Sequence, residues 1–275
     1  MSFKSLMVQI DLNRPNDTRI KIAADLAERL GAGLIGITAC PELPYTYSDG
    51  YAASQIIEEE RKAISARMQL AEANFRCVLD GRHVKFVEWR SAIAEPAEYI
   101  LEQSRAADLV LLGTAQREIS FDLAREPNPA DILVASGRPV LVVPPKVEQL
   151  PAKCALIAWK DTREARRAVF DALPLLSLCS RAIVVAVDEV NDPMAADISV
   201  NDVVVWLSRH GVKAHGMVLP LLTSPAQQLE LLASEEDADL IIAGAYGHSR
   251  FRELVLGGTT RDVLMSMPRS MFLSH

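Results

Sequence analysis

The sequence predicts an α/β protein with two tandem, open, five-stranded parallel sheets, each flanked by helices. Short apolar runs rich in β-branched residues alternate with segments of helical periodicity, which is typical of βαβ units. This succession occurs twice, and a proline-rich stretch separates the two copies. The predicted strands are Leu6–Ile10, Leu34–Ala39, Val84–Val87, Leu109–Leu112 and Val140–Val143, then Ala155–Ala158, Ile183–Val187, Val212–Val218, Leu240–Ala243 and Met271–Leu273.

An internal repeat supports this division. Ala107-Asp108-Leu109 followed by Gly113 recurs as Ala238-Asp239-Leu240 followed by Gly244. The prolines at 144, 145 and 151 form a short stiff linker, so we expect domains over residues 1–146 and 152–275. Helices should connect the parallel strands. They include 55–74, a face formed by Ile22, Leu26 and Leu30, and a face formed by Ala165, Val169 and Leu173.

Composition excludes several classes of protein. The chain is 49% hydrophobic and 24% charged, with a net charge of −7, which argues against a broad nucleic-acid surface. It contains no apolar run of the roughly 20 residues that a membrane span needs. The first residues lack the features of a signal peptide, so a cytoplasmic location is expected, with four reduced, mostly buried cysteines.

Two glycine patterns need to be distinguished. Gly31-Ala-Gly33-Leu-Ile-Gly36 matches the letters of a dinucleotide fingerprint, but a helix precedes it and a strand follows it, the reverse of the required order. We interpret Gly31 as a helix C-cap. The second pattern has the correct context, because Gly244-Ala-Tyr-Gly247 follows a strand and Gly257-Gly258-Thr259-Thr260 precedes a predicted helix from about Arg261. Such glycines either bring backbone N–H groups close to a phosphate or simply form tight turns.

The spacing Gly-x2-Gly-x9-Gly after the fourth strand resembles the nucleotide loop of universal stress proteins. The resemblance extends over nearly the whole chain as two consecutive family domains. It implies the fold of adenine nucleotide alpha hydrolase-like proteins, in a family in which some members bind ATP and others do not. It also implies that the two halves pack as an intramolecular pseudo-dimer, often through their last strands.

Carried onto the second half, the resemblance places Gly244, Gly247, Gly257, Gly258 and Thr260 around ribose and phosphates. The candidate set also contains Thr259, His248, Arg250 and Lys160. Gly258 replaces the more usual hydroxyl residue, and Lys160 stands where the family has an acid facing the base or ribose. Lysine donates where the acid would accept, so Lys160 either meets a phosphate or is a solvated loop residue. Asp161 could replace the acid only if the loop shifted by one residue.

The first half departs from the pattern in the opposite way. Asp11 occupies the position of the family acid, but Gly113-Thr-Ala-Gln116 lacks the second glycine. Glu126-Pro-Asn-Pro129 stands near the expected phosphate turn, where proline supplies no N–H and Glu126 would repel a phosphate. We therefore expect a degenerate site without nucleotide, in which Asp11 acts as a turn residue.

The leading hypothesis is a non-catalytic, cytoplasmic, stress-response protein that binds an adenine nucleotide, ATP with Mg2+, in its second half. A scaffold that acts through protein contacts is the alternative. Because no nucleophile elbow, P-loop or metal-spaced cluster is visible, at most weak ATP hydrolysis is expected. An exposed edge on the last strand would permit a homodimer.

Overall fold

The computed structural model describes residues 2–42, 50–114, 127–245 and 268–275, and it contains two copies of the same strand and helix succession. The strands of the first half are β1 (Ser5–Gln9), β2 (Gly33–Ala39), β3 (Val87–Ala92), β4 (Leu109–Gly113) and β5 (Val140–Val143). Those of the second half are β6 (Cys154–Ala158), β7 (Arg181–Asp188), β8 (Ala214–Pro220), β9 (Leu240–Gly244) and β10 (Ser270–Ser274). The helices are α1 (Asp17–Leu30), α2 (Gly50–Val78), α3 (Pro96–Gln103), α4 (Pro129–Ala135), α5 (Arg163–Asp171), α6 (Leu173–Leu176), α7 (Pro193–Arg209) and α8 (Pro225–Glu235).

The two five-stranded parallel sheets join edge to edge into one ten-stranded sheet. Its order is β3-β2-β1-β4-β5-β10-β9-β6-β7-β8, so both halves have the same internal order. The join is antiparallel and pairs Phe272 of β10 with Leu141 of β5. The last strands therefore pair within the chain, as the resemblance implied. The expectation of an exposed last-strand edge was wrong, because β5 covers β10, and the free edges of the described sheet are β3 and β8.

Helices cover both faces of the sheet and bury alternate strand residues. Leu6 and Val8 of β1 belong to a core shared with α1 and with helices α5 to α7. Met7 points to the opposite core, which includes residues of α3, α4 and α8. This alternation follows from the two-residue repeat of a strand. A sheet that is buried on both faces explains why its central strands are almost continuously apolar.

The predicted strands agree with the observed ones except at the third. Val84–Val87 was predicted, but β3 runs from Val87 to Ala92. β3 lies at the sheet edge and is only partly buried, so polar residues such as Glu88 and Arg90 occupy it. An edge strand lacks the apolar run by which a buried parallel strand is recognised.

The first glycine pattern is a helix end followed by a strand, as predicted. Gly31 has a left-handed φ of 61° and its N–H bonds the carbonyls of Ala27 and Glu28. The two later glycines lie in β2, where they leave room for aromatic rings. A Cβ on Gly33 would overlap the ring of Phe86, and one on Gly36 would come within 2.8 Å of Trp89.

The connection between β5 and β6 is packed against the first half. Leu150 and Ala152 are buried, and Arg29 of α1 donates hydrogen bonds to the carbonyls of Leu150 and Pro151 at 3.0 and 2.9 Å.

The predicted helical face after β6 is divided between two helices. Ala165 and Val169 are buried in α5 as predicted, whereas Leu173 begins the separate helix α6. No helix in the described part of the chain is long and apolar enough to cross a membrane.

Candidate functional site

The candidate site of the second half lies where the chain changes direction in the sheet. β6 is the central strand, with β7 on one side and β9 on the other. The chain leaves β6 toward β7 and leaves β9 toward β10, in opposite directions along the sheet. Ligands of open α/β sheets bind at such a switch point, beside the carboxyl ends of the strands. Ala158 pairs with Ala243, so Lys160, two residues beyond β6, and Gly244, the last residue of β9, lie at the ends of adjacent strands. These two predicted residues therefore lie together at the carboxyl ends of the strands.

The remaining predicted residues lie outside the part of the chain that the structure describes. They are Gly247, His248, Arg250, Gly257, Gly258, Thr259 and Thr260. The predicted helix from Arg261 also lies outside it.

Gly244 has a packing role that the sequence did not reveal. A Cβ atom at this position would overlap the backbone of Glu164 and Ala165 in the first turn of α5. Thr162 caps that turn, its side chain accepting a hydrogen bond from the Ala165 N–H at 3.3 Å. The absence of a side chain at Gly244 thus lets α5 begin directly beside the end of β9.

Lys160 is half-exposed and forms an ion pair. Its Nζ atom lies 3.3 Å from Oε2 of Glu189, which follows β7 and is more buried than the lysine. Asp161 is held elsewhere, because its Oδ1 atom accepts hydrogen bonds from Nε and Nη2 of Arg166 at 2.9 and 2.6 Å. Of these two acids, Glu189 is therefore the one beside Lys160.

Sequence reasoning missed Glu189, although a signal was present. It comes directly after the second strand of its half, and the carboxyl ends of neighbouring parallel strands meet at one edge. The register between β6 and β7, in which Ala158 pairs with Val185, brings the two strand ends together.

An apolar groove lies between α5 and α7, next to the end of β6. Its volume is about 700 Å³, and Trp159, Phe170 and Trp206 line it. Trp159 is itself buried and its Nε1 atom donates to Ser199 Oγ at 2.9 Å. Asp161 lines the groove, whereas Lys160 and Gly244 are not among its described lining residues.

The corresponding loop of the first half is closed by its own hydrogen bonds. Asn16 is buried, its Oδ1 atom accepts from the Asp11 N–H at 2.8 Å, and its Nδ2 atom donates to the carbonyls of Asp11 and Arg14. The Asn13 N–H donates to Asp11 Oδ1 at 2.8 Å. Asp11 is therefore a turn residue, as predicted.

Little space remains where β1 and β2 end in this half. The cavity lined by Asp11, Cys40, Pro96 and Pro127 measures about 20 Å³, far below the roughly 300 Å³ of a small-molecule site. Asn128 and Pro129 begin α4, with the Asn128 side chain accepting from the Ala130 N–H. The absence of a nucleotide site of the family type in this half stays a prediction.

Among the residues that the structure describes, no group of three or more His, Cys, Asp and Glu side chains could hold a metal ion.

Comparison with known proteins assigns the chain to a family. The model of the universal stress protein family matches residues 2–144 and 216–274, so the chain belongs to this family. Comparison with curated proteins gave no match.

Two solved structures, described first, show the same fold at low sequence identity. A universal stress protein from Archaeoglobus fulgidus DSM 4304 is 15% identical, with 98% of this chain and 95% of that one covered and a TM-score of 0.68. A functionally unknown protein from Pseudomonas aeruginosa PAO1 is 13% identical, with coverage of 99% and 92% and a TM-score of 0.54. A universal stress protein from Archaeoglobus fulgidus in complex with dAMP is 18% identical, covers 52% of this chain and 98% of its own, and has a TM-score of 0.30.

Proposed function

We propose that this universal stress protein is a cytoplasmic, non-catalytic stress-response protein whose second half binds an adenine nucleotide, with ATP and Mg2+ as the expected ligands. The observation that carries the proposal is the register between β6 and β9. It brings Lys160 and Gly244 together at the carboxyl ends of these two strands. The glycine-rich sequence that starts at Gly244 would supply backbone N–H groups to the phosphates. The first half would act as a pseudo-subunit.

Glu189 is proposed to take the place of the family acid. Its carboxylate can accept a hydrogen bond from a ribose hydroxyl or from the base, which Lys160 cannot. The 3.3 Å ion pair with Lys160 orients the carboxylate and balances its charge. An exposed ion pair of this kind contributes only about 1 kcal/mol or less to stability, so nucleotide can compete for either partner.

The central experiment is calorimetric titration of the purified chain with ATP, with and without Mg2+, after analysis of any nucleotide that it retains. AMP and dAMP are included because a universal stress protein has been solved with dAMP. We expect the unmodified chain to bind ATP. Gly247→Val and Gly257→Val should each abolish this binding while the protein remains folded. The proposal would be wrong if no nucleotide is retained and no heat is released at millimolar ATP.

Glu189→Gln tests the role of the acid. Loss of its charged hydrogen bond should weaken ATP binding about tenfold. Glu235→Gln, at the exposed C-terminal end of α8, removes the same charge away from the site and should leave affinity unchanged. Equal affinities of the two variants would remove Glu189 from the site.

The second candidate function is a scaffold without nucleotide. It is favoured by the Lys160–Glu189 pair, since a lysine that is already neutralised is a weak phosphate ligand. This candidate predicts that Gly247→Val retains activity in cells under stress. Loss of cellular activity in folded Gly247→Val protein would exclude it.

A further inference from the structure

The first half contains a second, larger cavity, which shares Gln9, Asp11 and Pro127 with the small cavity described above. It measures about 420 Å³ and lies at the carboxyl ends of β1, β4 and β5, against the start of α1. Its lining includes Gln9, Arg14, Arg19, Gly113 and Val143. The volume is in the range of about 300–1,000 Å³ that is usual for small-molecule sites.

Arg19 brings a cation with unused hydrogen-bonding capacity into this cavity. Its Nη2 atom donates to Asn16 Oδ1 at 2.6 Å, but its buried Nε atom has no partner among the described residues. Burial lowers the pKa of Arg19 to about 10, against the opposing effect of Asp11, so the guanidinium is still charged at neutral pH. Asp11, which also lines the cavity, favours the charged form of Arg19 at longer range, but no described carboxylate forms an ion pair with this guanidinium.

Gln9 supplies a second polar group. It is 8% exposed at the end of β1 and lines the same cavity. Its side chain makes no hydrogen bond within the described ranges, although buried amides are normally satisfied. Its NH2 group is available to a ligand oxygen.

The two halves differ in the connection between their first strand and the following helix. Seven residues, 10–16, connect β1 to α1, whereas four residues, 159–162, connect β6 to α5. In the second half the backbone of Ala165 lies against Gly244, while in the first half the guanidinium of Arg19 lies against Gly113. The longer loop thus leaves room for an arginine side chain between the helix and the sheet.

We propose that this cavity binds a small organic molecule through a carboxylate or phosphate group, with Arg19 and Gln9 as donors. Arginine presents a planar fork of N–H donors that matches either oxyanion. The ligand is not a nucleotide held in the manner of the family, because the Glu126-Pro-Asn-Pro129 segment replaces the glycine turn. The proposal is independent of nucleotide binding in the second half.

The test follows the Nε–H signal of Arg19 by NMR in the unmodified chain during titration with inorganic phosphate, succinate and AMP. We expect phosphate or succinate to shift this signal, and the anion that does so distinguishes the two ligand classes. No shift with either anion at about 20 mM, or tighter binding of AMP than of both, would overturn the proposal.

Substitution of Arg19, compared with control substitutions elsewhere, tests whether the anion binds in this cavity. Arg19→Met should weaken the anion about tenfold or more, whereas Lys21→Met, an equal charge change at an exposed position of α1, should leave it unchanged. Gly247→Val should also leave it unchanged, which separates this cavity from the nucleotide loop. If Arg19→Met does not fold, Arg19→Lys replaces it and must also bind more weakly. Unchanged affinity in the folded Arg19 variant, or equal loss in Lys21→Met, contradicts the proposal.

Discussion

The backbone of Ala165 occupies the space that a Cβ atom on Gly244 would need, whereas at the matching position of the first half the side chain of Arg19 fills the space over Gly113. One glycine therefore faces a rigid neighbour and the other faces the end of a flexible side chain. Gly244 is required by the fold of the second half, whatever its part in ligand binding.

Gly244→Ala should lower the free energy of unfolding by about 2–3 kcal/mol, because the start of α5 must move to relieve the overlap. Gly113→Ala should cost less, since the Arg19 guanidinium can rotate away. Urea denaturation of both variants measures the difference. Equal losses would show that α5 adapts as easily as an arginine side chain.

Arg29→Met should destabilise the chain by about 1–3 kcal/mol, because the carbonyls of Leu150 and Pro151 lose their charged donor. The same variant should be cut faster by proteases between residues 144 and 153. That cleavage also tests the predicted domain boundary. Arg105→Met, at a largely exposed position, is the control. Unchanged cleavage of Arg29→Met would mean that Leu150 and Ala152 hold the connection without it.

Stability should fall in acid partly through Glu28. The His83 N–H, which donates to its carboxylate at 2.6 Å, and Arg82 hold the pKa of Glu28 below its ordinary value. A lowered folded-state pKa contributes stability that is present above the unfolded pKa of about 4.3 and is lost as pH falls through the folded value.

Glu28→Gln should therefore be less stable than the parent at neutral pH, by about 1 kcal/mol or less because the carboxylate is partly exposed. The difference should disappear once the pH has fallen below the folded-state pKa of Glu28. Urea midpoints across this range provide the measurement, with Glu98→Gln on α3 as the exposed control. A constant difference at all pH values would contradict the assigned role of Glu28.

One thiol should react much faster than the other three. All four cysteines are free, but only Cys77 is exposed. Burial raises the pKa of Cys179 to about 12 and also raises the pKa of Cys154, which keeps both as unreactive thiols. Labelling of native protein with Ellman's reagent should give one rapid thiol, and Cys77→Ser should remove it. Rapid labelling of a second cysteine would indicate local opening of the core.

Much of the fold could be predicted because the repeat and the apolar runs are local signals. Nine of the ten strands in the described sheet lie where the apolar residues predicted them, and β3 was misplaced because its edge position weakens the pattern. The candidate site was predicted less completely. Glu189 is distant in sequence from Lys160, and only strand pairing brings the two together.

The sequence by itself determined the duplication, the parallel α/β class, the C-cap at Gly31 and the turn at Asp11, because each depends on residues that are close along the chain. Tertiary structure alone decided that α5 lies against Gly244 and that Arg19 lies over Gly113. These relationships join residues at least 79 positions apart, and they follow from the packing of helices on the completed sheet.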